Sequence, residues 1–209
     1  MNENIVKKYE LLSATVIKGL ESRNISGYYT HNAKEALDKA LELIPNGSSV
    51  GIGGTMSARE IGLAEALAAG DYDYIDRDNF ENKREAMLKK YMADVYITSC
   101  NAMTNDGVLV FIDGTGNRTS SIAQGPKKVI LIVSMNKVCV DVDSAIKRAR
   151  NVAAPAVAQR FGLSTPCTKT GACFNCKTHD TICSQILITR YNRHDGRIHV
   201  VLVGEDLGF

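Results

Sequence analysis

The chain has 209 residues, of which 44% are hydrophobic and 23% are charged, and its formal net charge is +2. This composition is typical of a globular protein and excludes an intrinsically disordered chain. The nearly neutral charge gives no electrostatic indication of nucleic-acid binding. No apolar run approaches the ~20 residues that a membrane-spanning helix needs. The N-terminus, MNENIVKKYELL, lacks the apolar core of a signal peptide, so we expect a cytoplasmic protein with reduced cysteines.

Hydrophobic spacing predicts helices and strands that alternate along the chain. In the first half, the predicted elements are helix 5–20, strand 25–30, helix 33–43, strand 49–52, a helix after a glycine-rich loop, strand 72–75 and helix 80–92. In the second half, they are strands 95–99, 107–112 and 129–134, a helix from about 141 that Pro155 kinks or restarts, and strands 186–189 and 198–203.

This alternation predicts the α/β class, with a mostly parallel, Rossmann-like sheet that carries helices on both faces. The turn sequence Asn105-Asp106-Gly107 predicts one antiparallel hairpin in that sheet. The sequence shows no repeat and no interdomain linker. We therefore expect a single domain over residues 1–209.

Three loops after predicted strands carry polar residues, and ligands bind open α/β sheets at the carboxyl ends of strands. Loop 51–60 has paired glycines and two hydroxyls at a helix start, which favour a phosphate or carboxylate, although a tight turn also needs glycine. In loop 113–119, Arg118 could hold an anion, while Asp113 could act as a general base, contact a ribose or cap a helix. Lys137 could attract an anion or remain a solvated turn residue. Together the loops predict a pocket for an anionic small molecule.

Four cysteines fall within seventeen residues, at Cys167, Cys173, Cys176 and Cys183. Four thiolates suit Zn²⁺ or an iron–sulfur cluster, and the central C-x2-C spacing lets two sulfurs turn toward one centre. We therefore predict a Cys-rich metal-binding loop over residues 166–184. The alternatives are four reduced cysteines in a surface loop, or two disulfides, which nothing else in the sequence favours.

The identity of the metal depends on the spacing of these cysteines. Zinc would be structural and redox-silent, whereas a [4Fe–4S] cluster would give the domain a redox function. The spacing departs from the ferredoxin pattern, because Ser184 stands where a proline follows the last cysteine. His179 lies between the last two cysteines, and we expect it to be solvated. We favour a [4Fe–4S] cluster, with structural Zn as the alternative.

Several separated motifs resemble the LUD-domain family, in its LutC/YkgG-like group of lactate-utilisation proteins. The motifs are 53–57, 60–62, 98–104, 106–107, 113–118, 125–128, 136–137, Arg148, Arg150, Asn151, Pro155 and 204–209. The resemblance covers essentially the whole chain, and the cysteine loop resembles that of a cysteine-bearing branch. It implies a fold similar to the NagB/RpiA/CoA-transferase group of sugar-phosphate isomerases and CoA transferases.

The resemblance implies a subunit of an iron–sulfur-dependent system that oxidises L-lactate or a related 2-hydroxy acid to the keto acid. Iron–sulfur partner subunits and a homo-oligomer are left open, as is catalysis by this chain alone. The alternative is an isomerase-like or transferase-like enzyme, or a ligand-binding regulator, for a phosphorylated or CoA-linked small molecule, with a structural zinc.

The resemblance and the three loops together give the predicted site. The predicted ligand-binding residues are Gly53, Gly54, Thr55, Ser57, Asn101, Thr104, Asp113, Gly114, Gly116, Asn117, Arg118, Asn136 and Lys137. The candidate catalytic residues are Glu60, Asp113 and Lys137. Glu60 is equally explained by the dipole of the helix that it begins. Cys100 could be a pocket nucleophile, but we expect a small buried hydrophobe.

Overall fold

The computed structural model describes residues 2–209, in which helices and strands alternate through most of the chain. The helices are α1 (Glu3–Glu21), α2 (Ala33–Glu42), α3 (Met56–Glu60), α4 (Leu63–Ala69), α5 (Lys83–Met92), α6 (Asn117–Ala123), α7 (Val142–Arg148), α8 (Ala154–Arg160) and α9 (Pro166–Thr170). The strands are β1 (Ser26–Thr30), β2 (Ser49–Ile52), β3 (Asp73–Ile75), β4 (Val95–Thr98), β5 (Ala102–Thr104), β6 (Leu109–Asp113), β7 (Lys128–Ser134), β8 (Val138–Cys139), β9 (Gln185–Thr189) and β10 (Ile198–Val203).

The strands form two sheets. Six of them make a fully parallel main sheet in the order β1-β10-β7-β4-β2-β3. The other four make a smaller sheet in the order β8-β5-β6-β9, with antiparallel β5–β6 and β6–β9 pairs. The predicted α/β class with a mostly parallel sheet is confirmed. The hairpin predicted at residues 105–107 forms between β5 and β6, but it lies in the smaller sheet.

Helices cover both faces of the main sheet, as neighbouring residues of β7 show. Leu131 belongs to a buried cluster with Leu20 of α1, whereas Ile132 belongs to a second cluster with Ala36 of α2. A strand buried on both faces has to be apolar at every position, which explains the continuous run in β7. Phe111 of β6 lies in the first cluster, so the two sheets share a hydrophobic core.

The helix predicted to change at Pro155 does so through a π-helical segment, Ala149–Ala153, which joins α7 to α8. Proline has no N–H to donate, and its ring crowds the carbonyl four residues earlier. The α-helical hydrogen bonding is therefore interrupted one turn before Pro155. This segment carries Arg150 and leads directly to Ala154.

The predicted Cys-rich loop contains one short helix, α9, which has Pro166 in its first turn. The helix ends at Gly171, whose φ of 75° is left-handed and suits glycine. Residues 171–184 form no helix or strand before β9 begins. Among residues 2–209, no helix is long and apolar enough to cross a membrane.

Candidate functional site

A cavity of about 320 Å³ lies at the carboxyl ends of β2, β4 and β7. Ser57 follows β2, Ser99 follows β4 and Lys137 follows β7, and all three side chains line it. We call it the lysine cavity. This edge of a parallel sheet is where strand ends and loops converge, so three segments far apart in the sequence meet there.

Lys137 is only 2% exposed. Its ammonium group donates to the hydroxyl of Ser57 at 2.9 Å and to that of Ser99 at 3.1 Å. No carboxylate among residues 2–209 forms an ion pair with it. Burial lowers the pKa of Lys137 to about 8. Because a buried cation without a counter-ion is unfavourable, this geometry suits an anionic ligand.

Asp113 has a structural role at the edge of the cavity. Its carboxylate accepts four backbone N–H groups, from Thr115, Gly116, Arg118 and Thr119, at 2.9–3.0 Å. These contacts shape the loop that leads into α6 and satisfy amides at its start. Of the three roles predicted for Asp113, the geometry favours helix capping, because the carboxylate oxygens are already occupied.

The Arg118 guanidinium is likewise hydrogen-bonded to protein atoms. Its guanidinium donates to the backbone carbonyls of Ser99 and Ile112, each at 2.6 Å, and to the side-chain oxygen of Asn101 at 2.7 Å. Burial lowers the pKa of Arg118. This side chain therefore ties the β6 loop to the end of β4, and its fork is not directed at a ligand.

A second arginine holds two of the predicted amide residues. Arg148 donates to the backbone carbonyl of Asn101 at 2.7 Å and to that of Asn136 at 3.2 Å. The side-chain oxygen of Asn101 also accepts the backbone N–H of Ile112 at 2.9 Å. Asn101 and Asn136 therefore connect the strand ends around the cavity, and Asn136 lies outside its lining.

The glycine-rich loop divides into packing residues and cavity residues. A Cβ atom at Gly53 would overlap the hydroxyl of Tyr96, so glycine is required there for close packing. At Gly54 the same atom would meet nothing within 4 Å, and this residue lines the cavity. Thr55 caps α3 by accepting the N–H of Ala58 at 3.3 Å. Both readings of this loop therefore apply, each to different residues.

The structure brings most of the predicted ligand-binding residues together. Those that line the lysine cavity are Gly54, Thr55, Ser57, Asn101, Asp113, Gly114, Asn117, Arg118 and Lys137. Gly53, Thr104, Gly116 and Asn136 lie outside its lining. The Thr104 hydroxyl accepts the N–H of Val108 at 2.9 Å, in the turn between β5 and β6. Glu60 is the last residue of α3, so the expected stabilisation by the dipole at a helix start is wrong; it accepts the N–H of Gly208 at 2.7 Å and so fastens the C-terminal segment.

The cavity also contains residues outside the predicted ligand-binding set. Ser99 is one of the two partners of Lys137, and its only sequence signal was its place in the family motif at the end of a predicted strand. Arg77 and Arg160 are exposed cations at the rim, and Phe161 is an apolar neighbour. Cys100 lines the cavity but is 2% exposed, and burial raises the pKa of its thiol to about 11. A protonated, buried thiol agrees with the expected hydrophobic role.

The four cysteines of the C-terminal segment line a second cavity, of about 140 Å³. We call it the cysteine cavity. Burial and then the three other cysteines raise the pKa of Cys183 to about 11. Arg150 donates to the sulfur of Cys173 at 3.5 Å, and the hydroxyl of Thr165 lies 3.1 Å from the sulfur of Cys167. His179 is exposed and lies outside this cavity.

The described residues do not assemble a site for a single metal ion from these thiols. Within residues 2–209, no three His, Cys, Asp or Glu side chains are placed to hold a metal ion. The four cysteines instead line one cavity with largely uncharged neighbours. The metal site at Cys167, Cys173, Cys176 and Cys183 stays a prediction.

Comparisons with known proteins identify the family. A family model for the LUD domain matches residues 14–203. No curated protein matches the chain in a sequence comparison. A DUF162 family protein from Deinococcus radiodurans has a similar structure, with a TM-score of 0.56 and 12% identity over 93% of this chain and 98% of that chain.

Two isomerases match more weakly. Ribose 5-phosphate isomerase A from Methanocaldococcus jannaschii gives a TM-score of 0.40 and 12% identity, over 83% of this chain and 94% of that chain. The enzyme of the same name from Neisseria gonorrhoeae gives 0.35 and 18%, over 53% and 54%. These scores are too low to support an argument about function. The family model, in contrast, extends from α1 to the last strand, and the chain therefore belongs to the LUD domain family.

Proposed function

We propose that this protein binds L-lactate or a related 2-hydroxy acid in the lysine cavity, as a cytoplasmic subunit of an iron–sulfur-dependent system that oxidises the acid to the keto acid. Membership of the LUD domain family supports this proposal, together with the resemblance to lactate-utilisation proteins. The four clustered cysteines would hold the iron–sulfur centre of this subunit. The observation that carries the proposal is the unpaired ammonium group of Lys137.

The contacts of Lys137 explain how an acid would bind. Two of its three N–H groups donate to Ser57 and Ser99, which leaves one for a carboxylate. A charge-assisted hydrogen bond in a buried site is stronger than a neutral one. The two serine hydroxyls are held beside the ammonium group and can contact the 2-hydroxyl or 2-oxo oxygen. Lys137 thus orients the ligand and supplies its counter-charge.

The oxidation itself removes two electrons and two protons from the 2-hydroxy acid. One proton leaves the hydroxyl group and the other leaves carbon 2, and the two electrons of the C–H bond remain to be accepted. A [4Fe–4S] cluster held by the four cysteines would supply one-electron redox chemistry and accept one of them, and iron–sulfur centres of partner subunits would accept the other. With a pKa near 8, Lys137 can exchange a proton close to neutral pH.

A second candidate is an isomerase-like or transferase-like enzyme, or a regulator, for a phosphorylated or CoA-linked molecule. The specific observation in its favour is the rim of the lysine cavity, where Arg77 and Arg160 add two cations to Lys137. Small-molecule pockets span about 300–1,000 Å³, and this cavity has room for more than a three-carbon acid. A phosphate at the rim and a carbonyl group near Lys137 would fill it.

Calorimetric titration of the purified protein separates these candidates. L-lactate, pyruvate and inorganic phosphate are titrated into the wild type, Lys137→Met and Lys128→Met. Lys128 is a matched control, because it begins β7, at the opposite end of the strand from Lys137, and donates to the carbonyl of Leu43. A hydrogen bond to a charged group contributes about 1.5–3 kcal/mol, so Lys137→Met should weaken lactate and pyruvate binding by about 10-fold to 150-fold.

The outcomes distinguish the two functions. Binding of lactate or pyruvate that requires Lys137 and not Lys128 supports the 2-hydroxy acid proposal. Binding of phosphate alone, abolished by Arg77→Met or Arg160→Met, supports the second candidate. If none of the three ligands binds, or if Lys137→Met binds as the wild type does, the proposed site is refuted.

A further inference from the structure

The lysine cavity and the cysteine cavity are neighbours that share a wall. Ala154 and Ile182 line both of them. Ala154 begins α8 directly after the π-helical segment, and Ile182 immediately precedes Cys183 in the chain. A ligand in one cavity and a group in the other would therefore contact the same two residues.

The wall is fixed by a close backbone contact. Gly114 belongs to the loop that lines the lysine cavity, and a Cβ atom there would lie 3.3 Å from the Cα atom of Ile182. The absence of a side chain at Gly114 lets the cysteine segment pass against this loop. Any group that orders the cysteine segment will consequently order one side of the lysine cavity.

The contacts of the thiols indicate ligands for an electron-poor centre. The sulfur of Cys173 accepts hydrogen bonds from the Arg150 guanidinium and from the backbone N–H of Asn175, both at 3.5 Å. N–H groups directed at sulfur are typical of thiolates that hold a metal, because they fix the ligand and tune the centre. Arg150 also donates to the Asn175 side chain at 2.6 Å, which holds the cation against this sulfur.

The arrangement favours a polynuclear group over a single ion. Zn–S bonds of about 2.3 Å require four sulfurs within about 3.8 Å of one another. No three ligands among residues 2–209 are placed for one ion, and the four thiols line a cavity of about 140 Å³. An iron–sulfur cluster carries its own iron and sulfide between the thiolates and so uses such a space.

We propose that the wall formed by Ile182 and Ala154 makes binding of the cluster at the four cysteines and binding of the ligand in the lysine cavity depend on each other. This dependence rests on the cluster and on the ligand site of the proposed function. By linkage, the cluster strengthens ligand binding by the same factor by which the ligand strengthens cluster retention.

The first experiment tests the cluster. Wild type, Cys176→Ser and the control Cys139→Ser are purified without oxygen, and iron, sulfide and zinc are measured with the visible absorption spectrum. Cys139 ends β8, outside the cysteine cavity. Iron and sulfide with broad visible absorption are expected in the wild type and in Cys139→Ser, and should be lost in Cys176→Ser. One tightly bound zinc without iron, or no metal, would overturn the cluster.

The second experiment tests the wall without any ligand. Hydrogen exchange is compared between cluster-loaded and metal-stripped protein for residues 109–118, with residues 198–203 of β10 as the internal control. Removal of the cluster should speed exchange in 109–118 and leave 198–203 unchanged. Equal exchange in 109–118 would overturn the coupling.

The same two protein forms are then titrated with pyruvate. Loss of the cluster should weaken pyruvate binding about 5-fold or more, the lower range of allosteric coupling. Equal affinity in both forms would refute the dependence. If pyruvate binds to neither form, the proposed function fails, whereas the metal content and hydrogen exchange still decide the cluster and the wall.

Discussion

The lysine cavity and the cysteine cavity are built in opposite ways. Around the lysine cavity, regular strand ends supply the frame, and most polar side chains already have protein partners: Asp113 holds four amides, and Arg118 holds three oxygens. Around the cysteine cavity, the segment 171–184 has no helix or strand, and the four cysteines line the same cavity. The first frame is closed by its own hydrogen bonds, whereas the second is an irregular segment whose four cysteines share one cavity.

This contrast separates the polar groups that the protein satisfies from those that it does not. Around the lysine cavity most polar groups are hydrogen-bonded within the protein, so the group without a counter-charge, the Lys137 ammonium, is the one that indicates a ligand. Around the cysteine cavity the four thiols together are the groups that indicate one. A charged residue in a pocket is therefore not by itself a ligand contact, because buried polar groups are first satisfied by the protein.

The largest expected effect comes from removal of the Asp113 carboxylate, which holds the loop beside the lysine cavity. Asp113→Ala leaves four backbone N–H groups near the cavity without an acceptor, and we expect the free energy of unfolding to fall by about 3–5 kcal/mol. Asp141→Ala is the matched control, because Asp141 is exposed and caps α7 through the single N–H of Ser144 at 2.7 Å. That variant should lose about 1 kcal/mol. Urea unfolding measures the free energy of unfolding of both variants. Equal losses would contradict the special role of Asp113 at the lysine cavity.

The next effect separates the charge of Lys137 from its shape. The ammonium form, which binds the anion, dominates below its pKa of about 8 and is lost as the pH rises through that value. Pyruvate stays ionised over this range, so its dissociation constant should rise by up to about tenfold per pH unit above pH 8. Calorimetry from pH 6 to pH 10 measures the profile. A flat profile in the wild type would exclude Lys137 as the binding cation, whereas a flat one is expected for Lys137→Met.

A smaller effect tests the contact between the two regions. In Gly114→Ala, the new methyl group lies 3.3 Å from the Ile182 Cα atom, so the cysteine segment must shift. We expect a loss of about 1 kcal/mol in the free energy of unfolding. Gly54→Ala is the matched control, since its methyl group meets nothing within 4 Å. Identical unfolding of the two variants would show that the regions do not touch.

The smallest effect concerns the thiol of the lysine cavity. Burial raises the pKa of Cys100 to about 11, so iodoacetamide should leave it unmodified in the folded protein. Cys167, Cys173 and Cys176 are more accessible and should be labelled in metal-free protein. Peptide mass spectrometry locates the labels. Rapid labelling of Cys100 would identify a reactive thiol and contradict its hydrophobic role.

Much of the main sheet was predictable from the sequence, because continuous apolar runs such as 129–134 have few other uses. The smaller sheet was not foreseen. Strands β5 and β8 have three and two residues, too few to show a period, and the pairing of β6 with β9 joins segments far apart in the chain. Register and partner choice depend on tertiary contacts that periodicity does not contain.

The site was predictable to the extent that it follows strand ends. Lys137 and Ser57 were found because each follows a strand, by the rule for parallel sheets. Arg77 and Arg160 were missed, because nothing local distinguishes a rim arginine from a solvated one. The roles of Asp113 and Arg118 required the structure, since an acid and a guanidinium in a glycine-rich loop suit a ligand and a helix cap equally well.

The π-helical segment Ala149–Ala153 determines how far α8 is rotated about the helix axis relative to α7. Each residue turns an α-helix by about 100°, so one residue added or removed there would rotate everything after it by that angle. Helix α7 would stay packed on the smaller sheet through Ala145, while Ala154 would swing away from the wall between the cavities. The segment thus sets the angular position of that wall relative to the smaller sheet.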